Sequence, residues 1–494
     1  MGVFRVFACF LSGVALSLAF PRANQHWLAW VALSPLMYFV CNSKLRASLA
    51  CGFAFGFGFF ASHLYWILIF GKLPWALLAI FQSLFVLLWV ILANVLGRPL
   101  GAWGRLFLLP ALWICCEWFR SIGMMGFTWG DIGYSQHSFL PFIQIAAITG
   151  VWGVSFLVAL VNSTLANVAN GKLFKAQAVI VAVVLAAVLA YGVIILQTGE
   201  TSSKKFRAAA VQGNIDQDVP QDYLYIERTL RTYRELTRQV SREGARLIVW
   251  PETAVPGNPG TDYYLQAFLS TLAADSNAYL LVGAHNEDED GKCFNCGFLI
   301  APGRGIIAKY AKVHLVPFGE FVPARKYLPF LSYYRVTPVD LSPGPGFNIL
   351  TGGPHKLGLA ICFESIFPEI SRKLASAGAE VLCVITNDAW FKRTAAAEQH
   401  AVKSVFRAIE NRRYLIRAAS TGVSCIIDPH GRILAKKGIF EPGTIIADVS
   451  PIDKKTFYTR MGDWFVYFCF GITIVFGLFV LFRSYSKLKS KEEI

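Results

Sequence analysis

Residues 357–364 read LGLAICFE, an apolar run that ends in a cysteine and a glutamate. A short, continuous apolar run of this kind predicts a buried β-strand, and Cys362 stands where that strand leaves its sheet. A thiol at such an elbow is held in place yet stays accessible, which is the geometry that a nucleophile needs. Cys362 is therefore a candidate nucleophile, although a single cysteine on a strand is more often a small buried hydrophobe.

Two further apolar stretches place charged side chains at predicted strand ends. Residues 247–252 read LIVWPE and end in Glu252, and residues 310–320 read YAKVHLVPFGE, with Lys312 among apolar neighbours. Because α/β folds build their sites at strand ends, Glu252 and Lys312 are candidates as well. Taken singly, Glu252 also fits a partner at a helix N-terminus, and Lys312 fits a solvated strand residue.

Short β-rich runs alternate with helical stretches over residues 201–460, where 57 of 260 residues are charged, a fraction near the globular average. Strands are predicted at 206–211, 246–250, 279–283, 296–301, 357–362, 381–386, 424–427 and 444–449. Amphipathic stretches predict helices at 223–241 and 395–419. This alternation predicts an α/β layered domain.

The first 200 residues have a different composition. They hold 13 of the 77 charged residues of a 494-residue chain that is 55% hydrophobic and 16% charged. Apolar runs near the roughly 20 residues that cross a bilayer follow one another there, and several lack any charge, which argues against the buried core helices of a soluble fold. Eight transmembrane helices are predicted, near residues 4–20, 26–41, 46–70, 74–96, 106–120, 140–163, 176–197 and 464–482.

The predicted organisation has three parts: a membrane domain with seven of these helices at 1–200, the α/β domain at 201–460, and the eighth helix with a basic tail at 461–494. The apolar start is interpreted as a retained helix, because no convincing small-residue cleavage site follows it. With the N-terminus inside, inside loops and the tail carry eleven Lys and Arg residues and outside loops carry three. Basic loops prefer the cytoplasmic side, so the α/β domain is predicted to be extracytoplasmic.

The net charge of +15 is divided into +7 for residues 1–200, +7 for residues 201–460 and +1 for the tail. Basic residues near membrane spans orient the protein in the membrane and contact anionic lipid headgroups. The positive net charge therefore does not indicate a nucleic-acid partner. Residues 201–460 contain five of the eleven cysteines, and an odd number leaves at least one thiol free unless chains pair.

Other candidate ligands are less informative. Cys293 and Cys296 form a C-x-x-C, but no second ligand pair follows at zinc spacing, so we predict no metal site. Whether these two cysteines pair with each other stays open. His314 and His400 lack partners in any recognisable triad and are interpreted as structural.

The three candidate segments together resemble the nitrilase superfamily, in which a glutamate, a lysine and a cysteine follow in this chain order. With the eight predicted spans, the chain resembles more narrowly the apolipoprotein N-acyltransferase family. The resemblance extends over essentially the whole chain, in VQGNI at 211–215, TNDAWF at 386–391, PALW at 110–113, EW at 117–118 and GYSQ at 133–136. It implies a multi-span α-helical membrane domain plus an extracytoplasmic α/β nitrilase-like αββα sandwich.

The resemblance also implies a cofactor-free enzyme for the last step of lipoprotein maturation. A phospholipid gives an acyl chain to Cys362 as a thioester, and the N-terminal amine of a diacylglyceryl-cysteine apolipoprotein takes it. Glu252 is the expected general base and Lys312 the expected stabiliser of the oxyanion. A monomer is expected in the bacterial inner membrane, with the catalytic domain on the periplasmic side.

Neighbouring residues are expected to support this chemistry. Glu320 and Glu364 are expected to orient Lys312 or to carry the amine proton, although an ion pair that only fixes loops fits Glu320 equally well. Four aromatic residues are expected to contact the substrates, with ordinary core packing as the alternative: Phe318, Phe363, Trp390 and Phe391.

Two departures from the family pattern concern substrate contacts. The family usually has a tyrosine where this chain has Phe363, and it tends to have a tryptophan in the region of Pro220 and Gln221. Two rival functions stay open. One is a membrane-anchored amide or ester hydrolase that uses water as the second acceptor. The other is a noncatalytic scaffold or transporter, which the unbroken triad and the expected lack of a charged pair deep within the spans disfavour.

Overall fold

The computed structural model describes residues 2–171, 175–198, 204–215, 222–323, 325, 327 and 340–492. The chain divides into two compact units, one formed by residues 1–197 with 463–494 and the other by residues 198–462. We call them the helical unit and the sandwich unit. Pro220 and Gln221, one of the two departures from the family pattern, lie outside the described residues.

Apolar helices build the helical unit. In chain order they are α1 (Gly2–Ser17), α2 (Ala29–Ala32), α3 (Ser34–Asn42), α4 (Leu45–His63), α5 (Lys72–Leu92), α6 (Ala102–Ser121), α7 (Leu140–Ile143), α8 (Ala146–Thr149), α9 (Val151–Ala169) and α10 (Lys175–Gln197), with α16 (Trp464–Glu492) at the end of the chain. Among the described residues, five helical segments are long and apolar enough to cross a membrane: Leu45–His63, Lys72–Gly97, Val151–Ala169, Lys175–Gln197 and Trp464–Ser486.

The remaining predicted spans take other forms. Helix α1 has 16 residues, and the run at 26–41 is divided into short helices. The run at 140–163 is interrupted at Gly150, whose positive φ of 66° separates α8 from α9. Helix α6 is long, but it contains Pro110 and buried charged side chains. Eight membrane crossings therefore stay a prediction.

A buried ion pair lies in the helical unit, between the end of α6 and the segment that follows it. Asp131 lies between two predicted spans, so this pair does not bear on the expectation of no charged pair deep within them. Arg120 of α6 contacts the carboxylate of Asp131, and both side chains are almost inaccessible. The Arg120 guanidinium also donates to the carbonyl of Trp129 at 2.8 Å and to Oε1 of Gln82 at 3.3 Å. A charge inside a membrane protein needs such partners, and these contacts fasten the segment after α6 to α5 and α6.

Two β-sheets pack face to face in the sandwich unit. Its strands are β1 (Phe206–Gln212), β2 (Leu247–Val249), β3 (Tyr279–Glu287), β4 (Cys293–Ala301), β5 (Gly305–Ala311), β6 (Leu357–Ile361), β7 (Val381–Thr386), β8 (Leu415–Ala419), β9 (Ser424–Ile427), β10 (Ile433–Lys437) and β11 (Gly443–Val449). One sheet has the order β11-β1-β2-β3-β4-β5 and the other the order β10-β9-β8-β7-β6. Strands β1, β2 and β3 are parallel, and so are β6, β7 and β8.

Helices cover the outer faces of both sheets. They are α11 (Tyr223–Arg242), α12 (Tyr263–Ser276), α13 (Pro368–Ser376) and α14 (Ala396–Asn411), followed by the short α15 (Phe457–Met461). Alternate residues of one strand face different cores: Ala209 and Ile248 pack under α11 and α12, whereas Ala208 and Val249 pack against Leu359 of the opposite sheet. Helices α13 and α14 pack on the second sheet. This arrangement confirms the predicted αββα sandwich.

Several elements differ from the predictions. The predicted helix at 395–419 is wrong over its last residues, because α14 ends at Asn411 and Arg412 adopts a left-handed φ of 49° that terminates it. Leu415–Ala419 then forms β8, a strand whose five residues are all buried. Strands β5 and β10 and helices α12 and α13 were not predicted. Both of these strands carry partly exposed residues and lysines, so they lack the fully apolar pattern of a buried strand.

Candidate active site

The candidate residues lie at one edge of the sandwich, just beyond strand ends. Strand β2 leads through Trp250 and Pro251 to Glu252, β5 leads to Lys312, and β6 leads to Cys362. Strands β2, β3 and β5 run in the same direction, because β4 is antiparallel to both β3 and β5. Their ends therefore meet at one edge of the first sheet, as the ends of parallel strands do.

Glu252 is a buried carboxylate that accepts hydrogen bonds from both sheets. Its Oε1 accepts from Nδ2 of Asn295 at 2.6 Å and lies 3.4 Å from Nζ of Lys312. Its Oε2 accepts from the backbone N–H of Asn387 at 2.6 Å. Asn295 belongs to β4 of the first sheet and Asn387 follows β7 of the second, so this carboxylate joins the two sheets at the site.

Lys312 is 1% exposed and lies between two carboxylates. Its Nζ donates to Oε1 of Glu320 at 2.8 Å, and Nδ2 of Asn295 donates to the same oxygen at 3.2 Å. Burial lowers the pKa of an ammonium, but the charges of Glu320 and Glu252 outweigh it and raise the pKa of Lys312 above its ordinary value. The site therefore holds a fixed cation in a place that water scarcely reaches.

Glu320 is fixed by the turn that precedes it. The backbone N–H of Val316 donates to Oε2 of Glu320 at 2.8 Å, and the N–H of Phe318 donates to the carbonyl of Phe321 at 2.7 Å. Phe318 adopts a positive φ of 63° and is 40% exposed. The turn thus directs one carboxylate toward Lys312 and leaves one aromatic ring accessible.

Cys362 begins a 3-10 turn, Cys362–Ile366, directly after β6. Its φ is 52°, a left-handed conformation that costs a non-glycine residue about 1–3 kcal/mol. The thiol is half-buried. Burial and the Glu252 carboxylate raise the pKa of the Cys362 thiol, and this outweighs the opposing effects of the Lys312 ammonium and the Thr386 hydroxyl. Such a thiol needs a neighbouring base before it can attack.

Glu364 connects two of the strand ends. Its Oε1 accepts from the Tyr310 hydroxyl at 2.9 Å and from the backbone N–H groups of Val313 at 2.7 Å and His314 at 3.1 Å, and its Oε2 accepts from the N–H of Ile361 at 2.8 Å. Burial raises the pKa of Glu364, while these backbone donors oppose the shift. Glu364 therefore ties the segment that carries Lys312 to the segment that carries Cys362.

The predicted substrate-contacting aromatics differ in exposure. Phe363 is buried, with its ring 5.2 Å from that of Phe367 and 5.7 Å from that of His314. Trp390 is 49% exposed, and Phe391 next to it is half-buried. Trp390, like Phe318, is therefore accessible from outside the sandwich unit, whereas Phe363 packs within it.

Sequence reasoning missed two donors to the base. Asn295 contacts both carboxylates, and its available signal was a polar amide inside the apolar strand β4. The other donor is the backbone of Asn387, which no side-chain pattern reveals. Cys293 and Cys296, which flank Asn295 and whose pairing was open, are both free thiols. His400, interpreted as structural, lies against the backbone of Cys362.

Two family models match the chain. The model described as carbon-nitrogen hydrolase matches residues 207–453. The model described as apolipoprotein N-acyltransferase N-terminal domain matches residues 12–164.

Similar curated proteins share almost the full length. An apolipoprotein N-acyltransferase of Geobacter metallireducens is 37% identical over 490 residues, which cover 95% of this chain and 94% of that protein. A protein of the same name from Coxiella burnetii is 30% identical, over 95% of this chain and 98% of that protein. Another, from Haemophilus ducreyi, is 29% identical, over 96% of each chain.

Solved structures resemble the sandwich unit more distantly. A Saccharomyces cerevisiae protein from branch 10 of the nitrilase superfamily is 21% identical, with a TM-score of 0.41, over 52% of this chain and 93% of its own. An amidase from Nesterenkonia sp. is 22% identical, with a TM-score of 0.39, over 53% of this chain and 95% of its own.

Proposed function

The chain belongs to the apolipoprotein N-acyltransferase family, within the nitrilase superfamily, and from this premise we propose how it N-acylates apolipoproteins during lipoprotein maturation. The acyl donor is a phospholipid, and the acceptor is the N-terminal amine of a diacylglyceryl-cysteine apolipoprotein. One observation carries the proposal: a buried carboxylate, a buried ammonium and a half-buried thiol follow three strand ends at one edge of the sandwich unit.

In the first half-reaction, Glu252 takes the proton from the Cys362 thiol as Sγ attacks the ester carbonyl carbon of the phospholipid. A C–S bond forms, the ester C–O bond breaks, and the leaving alkoxide takes the proton back from Glu252. A lysophospholipid departs and the acyl chain remains as a thioester. General-base help of this kind contributes about 10²–10⁴-fold, and the raised thiol pKa explains why it is needed here.

Lys312 supplies the charge that the transition state requires. Attack on a carbonyl develops negative charge on its oxygen, and an ammonium already fixed in a water-poor site stabilises that oxyanion more than it stabilises the neutral ester. Glu320 and Glu252 hold the ammonium in place before the substrate arrives. Glu320 acts in this proposal as the residue that orients Lys312.

In the second half-reaction, the neutral amine of the apolipoprotein attacks the thioester. A C–N bond forms and the C–S bond breaks, while the amine proton passes through Glu252 to Sγ and regenerates the thiol. Phe318, Trp390 and Phe391 are proposed to line the acyl chains, and Phe363, which packs against Phe367, is proposed to support that lining from within the sandwich unit. An apolar lining excludes water, and a thioester in such a site reacts with an amine before it is hydrolysed.

The proposed location follows from composition and topology. Both substrates carry acyl chains, and each buried CH₂ contributes about 0.8 kcal/mol, so they stay in the bilayer. The excess of basic residues on the predicted inside loops supports a bacterial inner-membrane protein whose sandwich unit lies on the periplasmic side. We propose a monomer, since one chain supplies every residue of this mechanism.

A test follows the acyl chain through both half-reactions. The purified full chain is incubated with phospholipid labelled in its acyl group, and the Cys362 peptide is expected to carry the label in a form that neutral hydroxylamine removes. Addition of a diacylglyceryl-cysteine peptide is then expected to move the label onto its N-terminus as an amide. Cys362→Ser is the matched control and is expected to carry no label.

The rival hydrolase function makes a different prediction in the same experiment. If water is the second acceptor, the label leaves as free fatty acid at the same rate with and without the acceptor peptide. That result, or an acyl adduct on a residue other than Cys362, contradicts the proposal.

A further inference from the structure

A second cluster of buried charged groups lies behind the turn that begins at Cys362. Its members are Asp388, His400 and Arg417, which are 0–1% exposed, and we call it the elbow cluster. Oδ1 of Asp388 lies 2.9 Å from Nδ1 of His400, and Nη2 of Arg417 donates to Oδ2 of Asp388 at 2.9 Å. Burial raises the pKa of Asp388, but Arg417 and His400 outweigh it and lower the pKa to about 2. The carboxylate is therefore ionised and holds the Arg417 guanidinium beside the imidazole.

The imidazole connects this cluster to the nucleophile. Nε2 of His400 lies 3.1 Å from the backbone carbonyl oxygen of Cys362 and 2.9 Å from Oγ of Ser365. A carbonyl oxygen only accepts, so the contact with Cys362 requires the tautomer in which Nε2 carries the proton. Nδ1 is then an acceptor, and Nη2 of Arg417 donates to it at 3.0 Å. The Ser365 hydroxyl donates to the same carbonyl at 2.7 Å. Two donors thus hold the peptide unit that follows the Cys362 side chain.

That peptide unit belongs to a residue in a strained conformation. Cys362 has a φ of 52°, which persists only where the surroundings enforce it. The elbow cluster supplies such surroundings from three elements, because Asp388 follows β7, His400 lies on α14 and Arg417 lies on β8. The Thr386 hydroxyl at the end of β7 fixes Asp388 further, by donating to Oδ1 at 2.8 Å.

The neighbouring loops are built around the same groups. Nε of Arg417 donates to the carbonyl of Val423 at 3.1 Å, which holds the loop between β8 and β9. A Cβ at Gly422 in this loop would clash with Oδ2 of Asp388, so only glycine lets the backbone pass the carboxylate. The elbow cluster therefore connects the backbone at Cys362 to strand β8 and to the loop between β8 and β9.

We propose that the elbow cluster positions the Cys362 thiol for attack, through the hydrogen bond from Nε2 of His400 to the Cys362 carbonyl. His400 acts through the backbone and does not touch the reacting atoms, so it is a positioning residue. The inference rests on the proposed function in one respect, namely that Cys362 is the nucleophile. Without the His400 donor, the turn relaxes toward an unstrained φ and Sγ moves away from Glu252 and Lys312.

The test measures the position of the thiol without any lipid substrate. Cys362 in the full chain is alkylated with iodoacetamide, and labelling of its peptide is compared with that of the half-buried Cys293 in the same molecules. His400→Leu removes the donor and is expected to slow labelling of Cys362 on the order of 10²-fold, as small misplacements of reacting groups do. His400→Gln keeps an N–H donor at the reach of Nε2 and is expected to stay within about tenfold of the wild type.

Acyl transfer by the same variants gives a second readout. His400→Leu is expected to lower kcat for acylation in parallel with labelling and to leave KM for the phospholipid unchanged. His430→Leu is the matched control, because His430 is another buried histidine of the sandwich unit, in the turn between β9 and β10. It is expected to lower the melting temperature while leaving Cys362 labelling as in the wild type.

Several results overturn the proposal. They are wild-type labelling in His400→Leu, equal losses in His400→Leu and His400→Gln, and an equal loss in His430→Leu. Ser365→Ala is a smaller change, for use if His400→Leu does not fold. It removes the other donor to the Cys362 carbonyl and is expected to slow labelling of Cys362 about five- to tenfold. Unchanged labelling in Ser365→Ala also overturns the proposal. If labelling falls as expected while wild type forms no acyl adduct, the proposed function fails and the positioning role stands.

Discussion

The backbone N–H of Asn387 donates a 2.6 Å hydrogen bond to Oε2 of Glu252, across the gap between the two sheets. The other oxygen of the same carboxylate faces Asn295 and Lys312 on the first sheet. The proposed general base is therefore also a junction of the sandwich. Substitution of Glu252 affects both the chemistry and the junction, and experiments must separate the two effects.

Glu252→Gln is expected to slow acyl-enzyme formation at neutral pH by about 10²–10⁴-fold, the usual loss when a general base is removed. The glutamine amide keeps the shape of the carboxylate, but its N–H₂ group must face a donor, either the N–H of Asn387 on one side or Asn295 and Lys312 on the other. Higher pH is expected to restore part of the rate, because the thiol has a raised pKa and more of it ionises without help as pH increases. Single-turnover acylation from neutral to alkaline pH measures both effects.

The melting temperature of Glu252→Gln serves as its control. A rate that stays low at every pH, together with a large loss of thermal stability, would show that Glu252 acts mainly as the junction between the sheets.

Lys312→Met is expected to behave differently in the same assay. Loss of one oxyanion donor costs about 2.7–4 kcal/mol of transition-state stabilisation, and hydroxide does not replace that donor. The substitution also leaves the carboxylates of Glu252 and Glu320 near each other without the cation between them. Because no side chain takes the place of the missing cation at any pH, no recovery is expected at higher pH. Equal recovery of Lys312→Met and Glu252→Gln contradicts the division of roles.

The sequence was sufficient for the residues that follow strands directly. Glu252 and Cys362 each come at the end of a short apolar run, and local pattern indicates both the strand and its end. Lys312 stood out by its apolar neighbours, although the strand β5 before it was not predicted. The same pattern failed for Leu415–Ala419, a buried strand that continues the helical periodicity of α14.

Contacts across strands could not be predicted in this way. Asn295 reaches the two carboxylates because β4 pairs with β5 in a register that places the N–H of Lys312 2.8 Å from the Asn295 carbonyl. Arg417 meets Asp388 because β8 lies beside β7 in the second sheet, and His400 reaches both from α14, which packs on that sheet. Register and strand order depend on long-range packing, which a local pattern does not contain.

Membrane topology gives a prediction that is independent of the chemistry. A reporter enzyme that is active only outside the cytoplasm is expected to be active when fused after Glu200 and silent when fused after Lys489. The reason is the excess of basic residues on the predicted inside loops. A cytoplasm-specific reporter at the same two positions is the control and is expected to give the reverse pattern. Activity of the first reporter after Lys489 contradicts the predicted topology.

Glu364→Gln tests the connection between the strand ends that carry Lys312 and Cys362. The Glu364 carboxylate accepts from four donors, and a glutamine amide must turn its N–H₂ group toward at least one of them. A buried donor left unsatisfied costs about 1–3 kcal/mol, so the melting temperature is expected to fall by several degrees. Acylation is expected to fall through kcat, because both reacting groups lose their support, and alkaline pH is not expected to restore it. Glu369→Gln, at an exposed position on α13, is the matched control and is expected to change neither quantity. An unchanged kcat in Glu364→Gln would mean that Lys312 and Cys362 are held by their own strands and that the contacts of Glu364 contribute only to stability.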